Sequence, residues 1–203
     1  LEQQTEKMRQ VPSSVSDDQT AIHVGNVGRL KRIQNDLASL RALAQASSFF
    51  SFRQLRSDVL IFNYIDTPGL IRSIKGVEIC STWESLVILP RAYPIKPPVV
   101  MLRPVSRQGL TFHPNVKPER PHLLCYGRHV PVLLLDELAR RIQRIVTLTP
   151  GAFMANEVDA LNSRACQYVR LLARDKKLPL REGMSLTVHP LKLLSRKSDD
   201  STK

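Results

Sequence analysis

The chain is poor in cysteine and in aromatic rings, and it has no long apolar run. Its 203 residues include three cysteines, Cys80, Cys125 and Cys166, an odd number with no CxxC spacing. That argues against a disulfide scaffold or a zinc ribbon and fits a reducing, cytoplasmic setting. Phe, Tyr and Trp make up only 5% of the residues, too few to interleave stacking rings with cations as single-strand nucleic-acid binders do. No stretch of eighteen apolar residues occurs and no charged-then-apolar leader opens the chain. A membrane or secreted protein is therefore not expected.

Acidic residues are scarce as well. Asp and Glu number 18 against 30 Lys and Arg, a net charge of +12. Such a surface speeds encounter with any acidic partner, whether nucleic acid, anionic lipid or protein. The cations are spread along the chain, so nucleic-acid binding stands as an alternative and not as the main expectation. With 42% apolar residues, the length suits one domain of about 150 residues plus tails.

Residues 1–25 are polar and irregular, with Pro12, serines and the pair Asp17 and Asp18, and read as a flexible lead-in. An amphipathic helix follows, because Leu30, Ile33, Leu37, Leu40 and Ala44 recur at spacings of three and four. Arg29, Lys31, Arg32 and Asn35 fall mostly off that stripe, which makes the outer face basic: a solvated surface, or a docking face for an acidic partner.

From about residue 49 the pattern turns to strands. Candidates are residues 59–65, 75–82, 86–89 and 99–102, with a turn at Asp66-Thr67-Pro68-Gly69. No helical pattern between them is long enough for a parallel crossover, so an antiparallel meander of four strands is expected. Residues 103–131 show neither period and carry Pro104, Pro114, Pro118, Pro121 and Pro131; a loop this long is usually functional. Two helices close the domain. The first has Pro131 as its opening proline and a stripe of Leu135, Leu138, Ile142, Ile145 and Val146. The second carries Val158, Leu161, Ala165, Tyr168 and Leu172. The expected class is α+β, with the folded domain at 26–173 and a basic tail at 174–203.

The long loop concentrates the chemistry. His113, His122, Cys125 and His129 are ligand-capable, but their spacing matches no familiar zinc pairing. Cys125, between Leu124 and Tyr126, also reads as a small buried hydrophobe, as Cys80 and Cys166 do. A third reading makes Cys125 a nucleophile, since some thiolate exists at neutral pH, with Asn115 as a donor to an oxyanion. A Cys–His–Asn protease uses the same residue types, with its histidine more distant in sequence. Spacing does not choose among these.

The run Tyr93-Pro94-Ile95-Lys96-Pro97-Pro98, then His113-Pro114-Asn115, then Cys125 after two leucines, resembles the ubiquitin-conjugating enzyme family. The likeness covers about residues 26–172 in element order and is most specific over 93–125. It implies an N-terminal helix, a four-stranded antiparallel meander, a long active-site loop and C-terminal helices. It also implies that Cys125 accepts the C-terminus of a ubiquitin-like modifier as a thioester. Asn115 would then orient the loop and stabilise the oxyanion, while His113 anchors the loop. Tyr93, Pro94, Pro97 and Pro98 would shape the entry to the last strand of the meander. Arg29, Lys31 and Arg32 become candidate contacts for the activating enzyme. The partners implied are that enzyme, the modifier and a target amine; no metal or organic cofactor is implied.

The departures lie around the loop. The spacings from Pro98 to His113 and from His113 to Cys125 are longer than the family's, and Val130-Pro131 stands where a tryptophan is usual. The acidic residue that assists the incoming lysine has no clear counterpart, with Glu157 or Asn156 at about the right distance. This divergence resembles bacterial members found in antiphage defence operons, beside an activating enzyme, a modifier and sometimes a deconjugating metalloprotease. A second bacterial setting couples a similar enzyme to a cyclic-nucleotide synthase. A catalytically inactive interaction module of the same fold is the alternative.

Overall fold

A computed structural model describes residues 16–105, 109–154, 156–175 and 177–178, with backbone alone for 16–26. The first helix, α1, runs from Ser16 to Ala46. It starts ten residues earlier than its apolar stripe suggests, and 16–25 are helical where an irregular lead-in is expected. Ser16, Asp17 and Asp18 are its first three residues, residue types common at a helix start. Serines and aspartates read as loop residues are thus compatible with a helix start. Ile33, Leu37, Leu40 and Leu43 are buried, whereas Leu30 is 53% exposed and lies off the packed face. Asp36 sits among the apolar positions with no exposure at all.

Seven strands follow: β1 Phe50–Arg56, β2 Val59–Tyr64, β3 Gly69–Ser73, β4 Gly76–Cys80, β5 Trp83–Ile88, β6 Val99–Pro104 and β7 Leu110–Thr111. They form a four-stranded sheet in the order β1-β2-β5-β6 and a three-stranded sheet in the order β4-β3-β7, both antiparallel. The β3–β4 hairpin therefore leaves the meander between β2 and β5. Gly69 makes that departure possible. A Cβ there would stand 2.7 Å from Trp83 Cζ2 and 2.8 Å from Val146 Cγ1, closer than real contacts allow. Trp83 is fixed in turn, its indole N–H donating to the carbonyls of Thr67 (2.9 Å) and Cys80 (3.1 Å).

Helix α2 spans Leu135–Val146 and α3 spans Ser163–Arg174. Pro131 is thus four residues outside α2, in a turn closed by the Leu133 N–H on the Val130 carbonyl. Val158 is 89% exposed and precedes α3, whose cap is Asn162, its side chain accepting from the Ala165 N–H. Leu40, Leu60, Phe62, Tyr64, Leu138 and Ile142 meet in the main core, between α1, the larger sheet and α2. Each such side chain contributes about 1.5–3 kcal/mol by its burial. A second cluster joins Leu70, Phe112, Leu148, Ala165 and Val169 and attaches α3 beneath the smaller sheet. The chain is α+β, with an N-terminal helix and antiparallel sheets. Among the described residues no helix is long and apolar enough to cross a membrane. Of the tail expected at 174–203, Arg174 ends α3, and the segment from 179 onward lies outside the described residues.

Candidate functional site

The loop after β6 is built on the sheet. The Leu124 N–H donates to the Val100 carbonyl and the Leu102 N–H to that of His122, so residues 122–124 extend the edge at β6. A second pass lies against the first: Val116 bridges Leu124, the Lys117 N–H bonds the Leu123 carbonyl, and the Cys125 N–H bonds the Asn115 carbonyl at 2.8 Å. Prolines remove the periodic signal from this stretch without removing its pairing, because the donors used belong to other residues.

Cys125 ends this short ladder, half-buried. Its neighbours on both sides are held. Tyr126 donates its hydroxyl to the Pro98 carbonyl at 2.8 Å, and the His129 Nε2 lies 2.8 Å from the Pro94 carbonyl. The Tyr-Pro-x-x-Pro-Pro element and the cysteine loop are thereby joined. Burial, and then the charge of the adjacent Cys125 side chain, push the Tyr126 phenol up to about 12, with Arg141 opposing.

Asn115 straps three segments together. Its Nδ2 donates to the Cys125 carbonyl at 2.9 Å and its Oδ1 accepts the Met154 N–H at 2.8 Å. One Nδ2 hydrogen is left over, because a carboxamide carries two. His113 fixes Asn115: its Nδ1 accepts the Asn115 N–H at 3.0 Å, and its Nε2 donates to the Ile145 carbonyl at 2.7 Å. Both ring nitrogens are committed to the neutral imidazole, and burial lowers its pKa to about 4. The structure thus brings His113, Asn115 and Cys125 together.

A cleft of about 340 Å³ opens beside these residues, with Asn115, Tyr126, Arg141, Arg144, Phe153 and Met154 in its walls. Glu157 and Asn156 follow the Asn115-bound Met154. Glu157 accepts from Arg170 at 3.1 Å and from Gln167 at 3.0 Å, and Asn156 bonds Asp159 at 3.3 Å.

The basic stripe of α1 divides. Lys31 is exposed and Arg29 half-buried. Arg32 points inward. Its guanidinium bonds Asp36 at 2.9 Å and the Pro131 carbonyl at 2.6 Å, and also reaches the Leu133 carbonyl. Asp36 in turn accepts the Tyr93 hydroxyl at 2.6 Å. Arg32 is therefore largely spent on joining α1 to the entry of α2. The histidines of the loop are separate: the His122 Nδ1 lies 3.2 Å from the Lys117 carbonyl. Among the described residues no three His, Cys, Asp or Glu side chains stand close enough to hold a metal ion.

Sequence reasoning missed Asp36, Tyr126, Arg141 and Met154. Asp36 leaves a signal, an acid one turn from Ile33 and Leu40 on the apolar stripe. Met154 leaves none, since it acts through its backbone N–H.

No family model matches the chain, and no curated protein matches it. Two solved structures to which it is similar are human ubiquitin-conjugating enzyme E2 G1 and ubiquitin-conjugating enzyme E2 UbcA1 from Agrocybe aegerita. The first is 17% identical, over 58% of this chain and 98% of the other, with a TM-score of 0.39. The second is 16% identical, over 70% and 93%, with a TM-score of 0.46. Likenesses of this size leave the chemistry of the chain to its own residues.

Proposed function

We propose that the protein is a conjugating transferase for a ubiquitin-like modifier. Cys125 takes the modifier from the cysteine of an activating enzyme: its thiolate attacks the carrier thioester, the carrier thiolate leaves, and the modifier's terminal carbonyl becomes bound to Sγ. A target amine then attacks that carbonyl and expels the Cys125 thiolate, leaving an amide, and the proton lost by the nitrogen passes to that thiolate or to water. ATP is consumed upstream, so this chain needs no cofactor of its own.

The observation that carries the reading is the pairing of Asn115 with Cys125. A half-buried cysteine has its backbone carbonyl held by a carboxamide that is fixed at both ends and keeps one further N–H to offer an oxyanion. Preorganised donors of this kind are worth about 2.7–4 kcal/mol in acyl transfer. His113 holds the Asn115 backbone N–H and takes no part as a base, being neutral with both nitrogens engaged. Of Arg29, Lys31 and Arg32, the first two are left to meet an acidic activating enzyme. An antiphage operon is the setting that the loop's departures favour.

The test is thioester loading. The protein is mixed with ATP and the activating enzyme and modifier encoded beside it, and resolved on gels with and without reductant. A reductant-sensitive adduct that disappears in Cys125→Ala supports the reading. No adduct, with the activating enzyme itself charged, favours an interaction module of the same fold.

A further inference from the structure

The cleft beside Cys125 is basic, and none of the described residues that line it is acidic. Arg141 and Arg144 lie three residues apart on α2, so their side chains share one face of the helix. Arg141 is anchored by its NH1 donating to the Arg128 carbonyl at 2.9 Å, with Glu137 at 3.8 Å from its Nε. A guanidinium has five donors, and most of Arg141's remain. Arg144 is exposed and has no carboxylate within 4.0 Å among the described residues. A cation in the last turn of a helix already suits the dipole, which accounts for Arg144 alone. It does not account for two guanidiniums meeting in one concavity.

The rest of the cleft suits an extended peptide. Ile145, Ala152, Phe153 and Met154 give it an apolar wall. Gly127 and Gly151 stand at φ +88° and +77°, with open space where their side chains would be, so the backbone is accessible on both flanks. The cleft starts at the residues that touch the cysteine: Asn115 bonds the Cys125 carbonyl, and Tyr126 follows it in the chain. The cleft therefore lies next to the Cys125 backbone, where the residues preceding a carbonyl delivered to that cysteine would pass.

We infer that the cleft selects the modifier by charge, taking a C-terminal segment that carries carboxylate side chains shortly before its terminal residues, paired with Arg141 and Arg144. The inference rests on the reading of Cys125 as the modifier's acceptor. Charge complementarity argues for an acidic segment over a neutral one, since a neutral segment leaves Arg144 unpaired in the complex. A basic one places like charges together, which costs affinity.

The test uses two short peptides of equal length, one carrying two glutamates and the other two lysines at the same positions, both ending in Gly-Gly. Each terminates in a thiol activated as a mixed disulfide with thionitrobenzoate. The Cys125 thiolate attacks the peptide sulfur, the probe's S–S bond breaks, thionitrobenzoate leaves with the electron pair, and its absorbance gives the rate. Cys125→Ala supplies the blank. The readout is the ratio of acidic to basic peptide rates, in which the intrinsic reactivity of the thiol cancels.

At low ionic strength the wild-type ratio is expected to be about 10. It should fall to one or below in the double variant Arg141→Glu, Arg144→Glu and fall part of the way in Arg144→Ala. A double variant of equal net charge, Arg41→Glu with Arg53→Glu on α1 and β1, should keep at least half of it. A wild-type ratio near one overturns the inference, as does an equal drop in both double variants, which assigns the preference to the general field of the +12 chain. Thioester loading with a peptide ratio of one removes the charge selection and leaves the transferase. An acid preference that Arg144→Ala weakens, in a protein that never loads, keeps the cleft and removes the transferase.

Discussion

Asp36 caps helix α2 from ninety-nine residues away: its Oδ1 accepts the Leu135 backbone N–H at 3.2 Å. The residue at the cap position, Leu134, has no side chain able to do so. The other oxygen takes the Tyr93 hydroxyl and the Arg32 guanidinium, so one buried carboxylate joins α1, the proline-rich entry to β6 and the start of α2. Burial together with this carboxylate pushes the Tyr93 phenol well up.

Removing that carboxylate leaves a buried N–H, a buried hydroxyl and a part-buried guanidinium short of a partner. Asp36→Ala is expected to cost about 3 kcal/mol of unfolding free energy, read from urea titration. Asp36→Asn should cost less, because its Oδ1 still accepts from Leu135. No loss in the alanine variant would refute the role assigned to Asp36.

The three thiols should differ sharply toward a small alkylating reagent. Cys80 is 8% exposed and Cys166 is 1% exposed, and burial raises the pKa of Cys166. Iodoacetamide on the native protein should give one adduct, lost in Cys125→Ala, by intact mass. Two or three adducts at equal rates would contradict this burial.

Asn115→Ala separates strap from oxyanion donor. It leaves the Met154 N–H and the Cys125 carbonyl without their partner, a cost of about 1–3 kcal/mol in stability. If the free Nδ2 hydrogen also meets the oxyanion, transfer to a free amine should slow by roughly 10²–10³-fold, well beyond any slowing of thioester loading. Equal slowing of both steps would make Asn115 a strap alone.

His113 makes stability depend on pH. Its folded pKa of about 4 lies below the ordinary value of 6.5, so between those values the unfolded chain binds a proton that the folded chain refuses. Stability from this residue is present above pH 6.5 and is lost as pH falls toward 4, by about 3 kcal/mol in all. In His113→Gln, which does not titrate, the difference in unfolding free energy between pH 7 and pH 5 should shrink. An unchanged difference would mean that other groups set the acid lability.

The helical spacings of Ile33, Leu37 and Leu40 and of Leu135, Leu138 and Ile142 were legible because a buried helix face repeats along the chain itself. Strand β1 was harder. On the edge of its sheet, it buries only Phe50 fully among seven residues, so no alternation marks it. Strand β3 hid behind the turn residues at 66–69, where Gly69 reads as a loop but is needed for its closeness to Trp83. At the site, residue types drew attention to His113, Asn115 and Cys125. What escaped were partners defined by the folded backbone: the Met154 N–H, the Ile145 carbonyl, and the inward turn of Arg32 that removed it from the basic stripe.

The polar grip of Asp36 has a consequence for how the chain is made. During synthesis α1 leaves the ribosome well before α2, yet the N–H that its carboxylate caps belongs to residue 135. Closing a loop of that size carries an entropic cost that local contacts do not bear. Until the nascent chain has grown past Leu135, α1 carries the polar Asp36 side chain on the same stripe as Ile33, Leu37 and Leu40, and a polar group short of its partners opposes premature burial of the stripe. The completed domain can bury it because only then are Leu135, Tyr93 and Arg32 all in place.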